Sequence, residues 1–148
     1  MFRKRFIWCL TLMVLGGNVV ACAEKDPEQG QLKVQSASEL VAAEYGYTVV
    51  EDVPQSEFKV SDLELASFLN DNERYINSTE MRTRAVTLKA NLGLLDAKYI
   101  LNHQSEISLE FRNHVLVFTG TLLRDSDGDL HVASLVWRGD RWHLGFSW

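Results

Sequence analysis

In Leu135-Val136-Trp137-Arg138-Gly139-Asp140-Arg141-Trp142-His143-Leu144-Gly145-Phe146-Ser147-Trp148 an apolar run precedes a Gly-Asp pair, and after the pair the apolar residues recur at every second position. Trp142, Leu144, Phe146 and Trp148 share one face, and Arg141, His143, Gly145 and Ser147 share the other. That is the pattern of a strand with one side in a core and the other toward water. Gly139-Asp140 fits a two-residue hairpin with glycine at its first position. Working toward the N-terminus, His131 to Arg138 reads as the preceding strand, and Asp125-Ser126-Asp127-Gly128 as a hairpin loop in which Gly128 supplies a positive φ. His114 to Leu123 reads as a longer strand. Ile107, Leu109 and Phe111, alternating with Glu106, Ser108, Glu110 and Arg112, read as a shorter one before a turn at Asn113. A four-stranded antiparallel meander is expected.

Before the meander the period changes from 2 to 3.6. Met81, Ala85, Leu88, Leu92, Leu95 and Tyr99 recur at steps of three and four, with Val86, Ala90, Leu94, Ala97 and Leu101 beside them. The spacing predicts one long helix over about 78–102, with an apolar face broad enough to cover a sheet; Gly93 can kink or divide it. Asn77-Ser78-Thr79 matches a glycosylation acceptor but reads better as the cap of this helix. Ser36-Ala37-Ser38-Glu39 and Ser61-Asp62-Leu63-Glu64 both fit the S-x-x-E capping box, which predicts short helices over about 37–45 and 62–70. Tyr45 to Val50 has strand-forming residues, and Val53-Pro54 marks a turn. The expected fold is α+β: N-terminal helices, then a long helix packed on a C-terminal four-stranded meander. This order, with the Leu135–Leu144 hairpin, resembles the cystatin-like folds that include NTF2-like domains. That resemblance implies a concave space under the helices where related enzymes hold acid–base residues.

The chain has 148 residues, enough for one domain with a real core. Its first residues read differently from the rest. Arg3, Lys4 and Arg5 precede the apolar run Phe6 to Leu15, and no acid occurs before Glu24. Ten apolar residues are too few for a span of roughly 20, so residues 1–21 read as a signal peptide. Two cleavage patterns overlap there. Ala21-Cys22-Ala23 fits ordinary secretion, whereas Val19-Val20-Ala21-Cys22 resembles the lipobox of bacterial lipoproteins, with Val19 where leucine is usual. The lipobox implies cleavage before Cys22 and lipidation of its sulfur. Cys9 would leave with the signal, so lipidation also accounts for a single thiol exported to an oxidising compartment. By the same resemblance Ala23, rather than Asp, implies delivery to the outer membrane, on its periplasmic side, with palmitate among the acyl chains. Residues 22–35 read as an acidic tether, and 36–148 as a single domain.

Loss of Arg3, Lys4 and Arg5 leaves 12 bases against 20 acids, a balance of −8. Residues 22–73 carry −9 of that, which argues against nucleic-acid binding and against electrostatic adhesion to anionic lipid. Asp125, Asp127 and Asp129 invite a calcium reading. An EF-hand would need glycine and glutamate where Leu130 and Val136 stand, so a solvated hairpin tip is the better reading. His103, His114, His131 and His143 show no zinc-ligand spacing. His131 shares the parity of Ala133, Leu135 and Trp137, which allows it to face inward, though a rim histidine with a satisfied hydrogen bond is the simpler reading. Trp137, Trp142 and Trp148 could line a pocket, but a core of one helix on one sheet needs large side chains. No nucleophile elbow, P-loop or dinucleotide fingerprint occurs, and nothing calls for a cofactor. The expectation is a lipid-anchored, non-enzymatic envelope protein that binds a protein partner or assists assembly. The alternatives are an NTF2-like pocket protein with weak hydrolase or isomerase activity through His131 and an acid from elsewhere, and a carrier of apolar ligands, which needs roughly 300 Å³ of dry space.

Overall fold

A computed structural model describes residues 35–147. The signal, Cys22, nearly all of the tether and Trp148 lie outside the described residues. Within them the order is α1 (Ala37–Glu44), β1 (Thr48–Glu51), α2 (Ser78–Thr87), α3 (Leu94–Asn102), β2 (Val115–Arg124), β3 (Leu130–Arg138) and β4 (Arg141–Ser147). The sheet is antiparallel in the order β1-β2-β3-β4. The domain is therefore α+β with a four-stranded sheet, as expected, although two of the expected elements are replaced.

The first replacement is at the edge of the sheet. Residues 106–112 are not a strand but two 3₁₀ turns, Gln104–Glu106 and Leu109–Asn113. Ile107 and Phe111 are buried, whereas Leu109 is 68% exposed. Two apolar residues four apart suit a helical turn as well as a strand, and only Leu109 distinguishes the two. The edge position falls to β1, which overlaps the Tyr45–Val50 segment and runs one residue beyond it, and β1 pairs Thr48 with Arg124 and Val49 with Leu123. The second replacement concerns residues 62–70. Only a 3₁₀ turn forms, at Val60–Asp62, with Ser61 inside it rather than at its cap and the Ser61 hydroxyl donating to Asp62 Oδ1 (3.1 Å). Downstream, Arg84 holds the carbonyl of Phe68 at 2.8 Å. Tertiary capture outweighs the local helix signal.

The capping box at Ser36 and Glu39 does form and starts α1. The long helix is divided rather than kinked. After α2 the chain closes a Schellman motif: Lys89 N–H donates to Val86 O (3.1 Å) and Ala90 N–H to Ala85 O (2.8 Å). Lys89 takes the left-handed conformation usually given to glycine, with φ of 55°. Gly93 then begins α3, and Asn77 caps α2 by accepting from Glu80 N–H (2.9 Å). With the helical period restarted, Leu94, Ala97 and Ile100 are buried against the sheet, while Val86 and Leu88 stay exposed.

The core lies between α1 and α3 on one side and the inward face of the sheet on the other. Cross-strand pairs Leu116 with Leu135, Phe118 with Ala133, Leu135 with Leu144 and Trp137 with Trp142 define that face. Trp142 is buried and meets Trp137 edge-on at 5.7 Å, and Arg112 lies 3.8 Å over the Trp137 ring. These two tryptophans are thus core, as the packing argument required.

Between Phe118 and Leu123 the β2–β3 register breaks, and the extra residues of β2 arch toward the α2–α3 connection. Gly120 N–H donates to Leu92 O (2.9 Å), and a Cβ on Gly120 would lie 2.3 Å from Asn91 O. Only glycine permits that approach. Gly120→Ala is expected to cost at least the upper end of the ~1–3 kcal/mol typical of over-packing, because backbone rather than a side chain must yield. Trp142→Ala is expected to cost ~3–5 kcal/mol as a large-to-small core change. Denaturant midpoints check both; a near-neutral Trp142→Ala would place the core on the opposite face of the sheet.

Candidate functional site

Asp52, just past β1, organises the middle of the molecule. Its Oδ2 accepts from the buried Ser38 hydroxyl of α1 (2.5 Å), and its Oδ1 from the buried Thr121 hydroxyl of β2 (2.6 Å). Thr121 Oγ1 in turn accepts Leu94 N–H at the start of α3 (2.7 Å). Asp96, also in the first turn of α3 and fully buried, accepts Gly93 N–H and Ser56 N–H, both at 2.8 Å. A carboxylate at a helix N-terminus meets both orphan N–H groups and the positive end of the helix dipole.

Two cavities flank this network. The smaller, about 380 Å³, lies where α2 faces the β1 end and the β2 bulge. Arg82 crosses it, bound to Glu51 Oε2 at 2.5 Å and to the carbonyl of Thr119 at 3.4 Å. The guanidinium hydrogen bond and charge hold the Glu51 carboxyl below its usual range. The larger, about 540 Å³, opens between the irregular 56–68 segment, the α2–α3 connection and β2. Phe58, Leu63, Phe111, Leu116 and Phe118 make it mainly apolar, and Glu57, Asp62 and Glu64 stand on its rim beside Lys89. Both parities of β2, Val115 and Val117 as well as Leu116 and Phe118, line it. The groove therefore follows the margin of the strand rather than one face of the sheet.

The residues singled out from sequence lie elsewhere. His131 sits at the far end of the inward face, paired with Leu123. Its Nε2–H donates to Asp125 Oδ2 (2.8 Å), its ring meets Tyr47 edge-on at 5.3 Å, and its Nδ1 is buried without a partner. Tyr45, Tyr47 and Phe146 stack around that end and fill it. Neither cavity is lined by His131. Asp125 is the acid that meets it, and its other oxygen accepts Asp127 N–H (3.0 Å) and Asp129 N–H (2.9 Å). Those bonds hold the Asp125 carboxyl below its ordinary range, the histidine being the main cause. The three aspartates close a turn around one of their own number. His103 Nδ1 meets Tyr99 O (2.9 Å), while His114 and His143 lie apart from both cavities. Among the described residues no cluster of histidines and acids could hold a metal ion. Cys22 lies outside them.

The sequence reading missed the groove, because it assigned a helix to one of its walls. It also missed Asp52 and Asp96, although Gly93-x-x-Asp96 carries the N-terminal helix signal once Gly93 is taken as a start. Comparison of the chain with family models, curated proteins and solved structures found no match.

The groove wall depends on Arg84. Its guanidinium holds both oxygens of Glu73, together with Glu80 and the carbonyl of Phe68. The Arg84 hydrogen bonds, helped by Asn70 N–H, lower the Glu73 pKa from 4.5 to about 2. A depressed carboxyl pKa contributes stability that is present above the unfolded value and lost as pH falls through the folded one. The melting temperature is expected to fall from about pH 4.5 toward pH 2 more steeply in the parent than in Glu73→Gln, and melts across that window check it.

Proposed function

We propose that the chain is a lipid-anchored envelope protein, moored through Cys22 at the outer membrane, whose domain binds a protein partner instead of turning over a substrate. The anchor rests on Val19-Val20-Ala21-Cys22 behind a basic and then apolar leader. At ~0.8 kcal/mol per buried methylene, two or more acyl chains hold firmly where one does not. Among the described residues no helix is long and apolar enough to cross a membrane.

The binding reading rests on one observation, the 540 Å³ groove with an apolar floor and an acidic rim. Large exposed apolar residues, Leu65, Leu88 and Val115, stand at its mouth. Grouped apolar exposure of this kind marks interaction surfaces. The carrier of apolar ligands is the second reading, favoured by the same volume. Helices α2 and α3 preceding the three consecutive strands β2 to β4, together with the Leu135–Leu144 hairpin, support a cystatin-like, NTF2-like ancestry.

Cys22→Ser is expected to move the protein from the membrane to the soluble fraction or to leave it unprocessed. Fractionation with the intact mass of the mature N-terminus reads both. Membrane retention after confirmed cleavage at that position would remove the lipid from the proposal.

A further inference from the structure

The C-terminal half of β2 has partners other than β3, and the N-terminal half pairs with β3 alone. Leu122 to Arg124 pair with β1, Gly120 N–H is taken by Leu92 O, and Thr119 O is taken by Arg82. Val115 to Phe118 pair with β3 alone, and their other margin makes no backbone hydrogen bond among the described residues. In an antiparallel strand about half of the residues turn N–H and C=O toward each side. Those groups face the groove, whose lining takes in all four residues.

Resting on the partner-binding reading, we propose that the groove receives an extended polypeptide segment of alternating basic and apolar residues, added as a strand beside Val115–Phe118. Three features converge on that chemistry. The unpaired margin asks for backbone donors and acceptors, which a polypeptide has and an acyl chain lacks. The apolar floor takes every second side chain of such a strand. The rim carries Glu57, Asp62 and Glu64 against Lys89 alone, and none of the four is in an ion pair among the described residues. Elsewhere Glu44, Glu51, Glu73, Glu80 and Asp125 all have cationic or histidine partners. Asp71, Glu106, Glu110 and Asp140 also form no ion pair among the described residues, but none of them lines the groove, so the rim acids are the ones placed to select a basic partner there.

The test uses the full chain in detergent micelles and a fluorescent seven-residue peptide alternating Lys and Val. The same peptide with alternate amides N-methylated, and a Glu-for-Lys version, serve as comparisons. The parent peptide is expected to bind saturably, the N-methylated form at least tenfold more weakly, and the acidic form not at all. The double variant Glu57→Lys, Glu64→Lys, altered only at exposed positions, is expected to lose the basic peptide at least tenfold and to accept the acidic one. Equal binding of the N-methylated peptide, indifference to the double variant, or uptake of a fatty-acid probe in place of the peptide would each overturn the assignment. In cells, a photocrosslinking residue at Val115 is expected to form an adduct. An adduct from Asp127 alone would leave a partner-binding protein but overturn this groove as its site. No adduct from either position, with no peptide binding, would remove both.

Discussion

The carboxylate of Asp52 ties α1, β1, β2 and α3 to one point. Two buried hydroxyls, Ser38 and Thr121, donate to its two oxygens, and Thr121 passes the connection to the first turn of α3. A buried polar group left unpaired costs ~1–3 kcal/mol, so these hydroxyls and the Leu94 N–H fix one another's positions. Asp52 itself stands at the exposed end of the network. The charge keeps part of its hydration while satisfying groups that have none, which avoids the desolvation penalty of a fully buried ion. The arrangement also needs the close approach of the β2 arch to the α2–α3 connection, which Gly120 allows. With α3 held there, the chain between β1 and α2 has to travel around the outside, and that detour builds one wall of the groove.

Legibility in the sequence followed how far each signal depended on distant partners. β3, β4 and their turn could be read because alternation, a Gly-Asp pair and cross-strand aromatics all agree within a few residues. The Ser36 capping box and the Asn77 cap were legible for the same reason. At 62–70 the same S-x-x-E pattern failed, because Arg84, far along the chain, holds Phe68 O and Glu73 in another conformation. At 106–112 the apolar spacing served two periods equally well, and the choice was made by where Ile107 and Phe111 could be buried. The groove could not be read, since it exists only where three irregular segments fail to close on β2. His131 reads from sequence as a rim histidine that could face inward; it lies at the end of the inward face bonded to Asp125, and the aromatic rings that fill the space before it come from α1's C-terminal side and from β4.

Several groups with acid–base capacity near the cavities are engaged in structure. Asp52 serves two hydroxyls, Asp96 two amides, and Glu51 one guanidinium. The His131–Asp125 pair is bonded at one nitrogen, with the other buried. General acid–base work asks for a group within hydrogen-bond reach of a bound substrate. The rim acids Glu57, Asp62 and Glu64 stand beside an apolar floor, and Lys89 is the one cation in the groove lining. Such a rim is suited to selecting a charge, which is a property of recognition.

An unpaired strand margin beside an apolar groove is ordinarily a hazard, because any other strand can add to it. The other margins of this sheet carry some of the usual protections. β1 is four residues long and bulged, β4 begins at Arg141, and Gln104 accepts the Trp142 N–H from the side away from β3. Val115 to Phe118 are left without such a device except for charge. Two copies meeting through this margin would bring two acidic rims together, and like charges facing one another across strands oppose pairing. The same rim therefore weakens self-association and favours a basic strand. Under the lipid anchor proposed at Cys22, the thirteen residues Ala23 to Gln35 would span at most about 45 Å at ~3.3–3.6 Å each, and copies moored in one membrane would meet at high local concentration. Proteins crowded in that way have most to gain from a strand margin that repels its own kind.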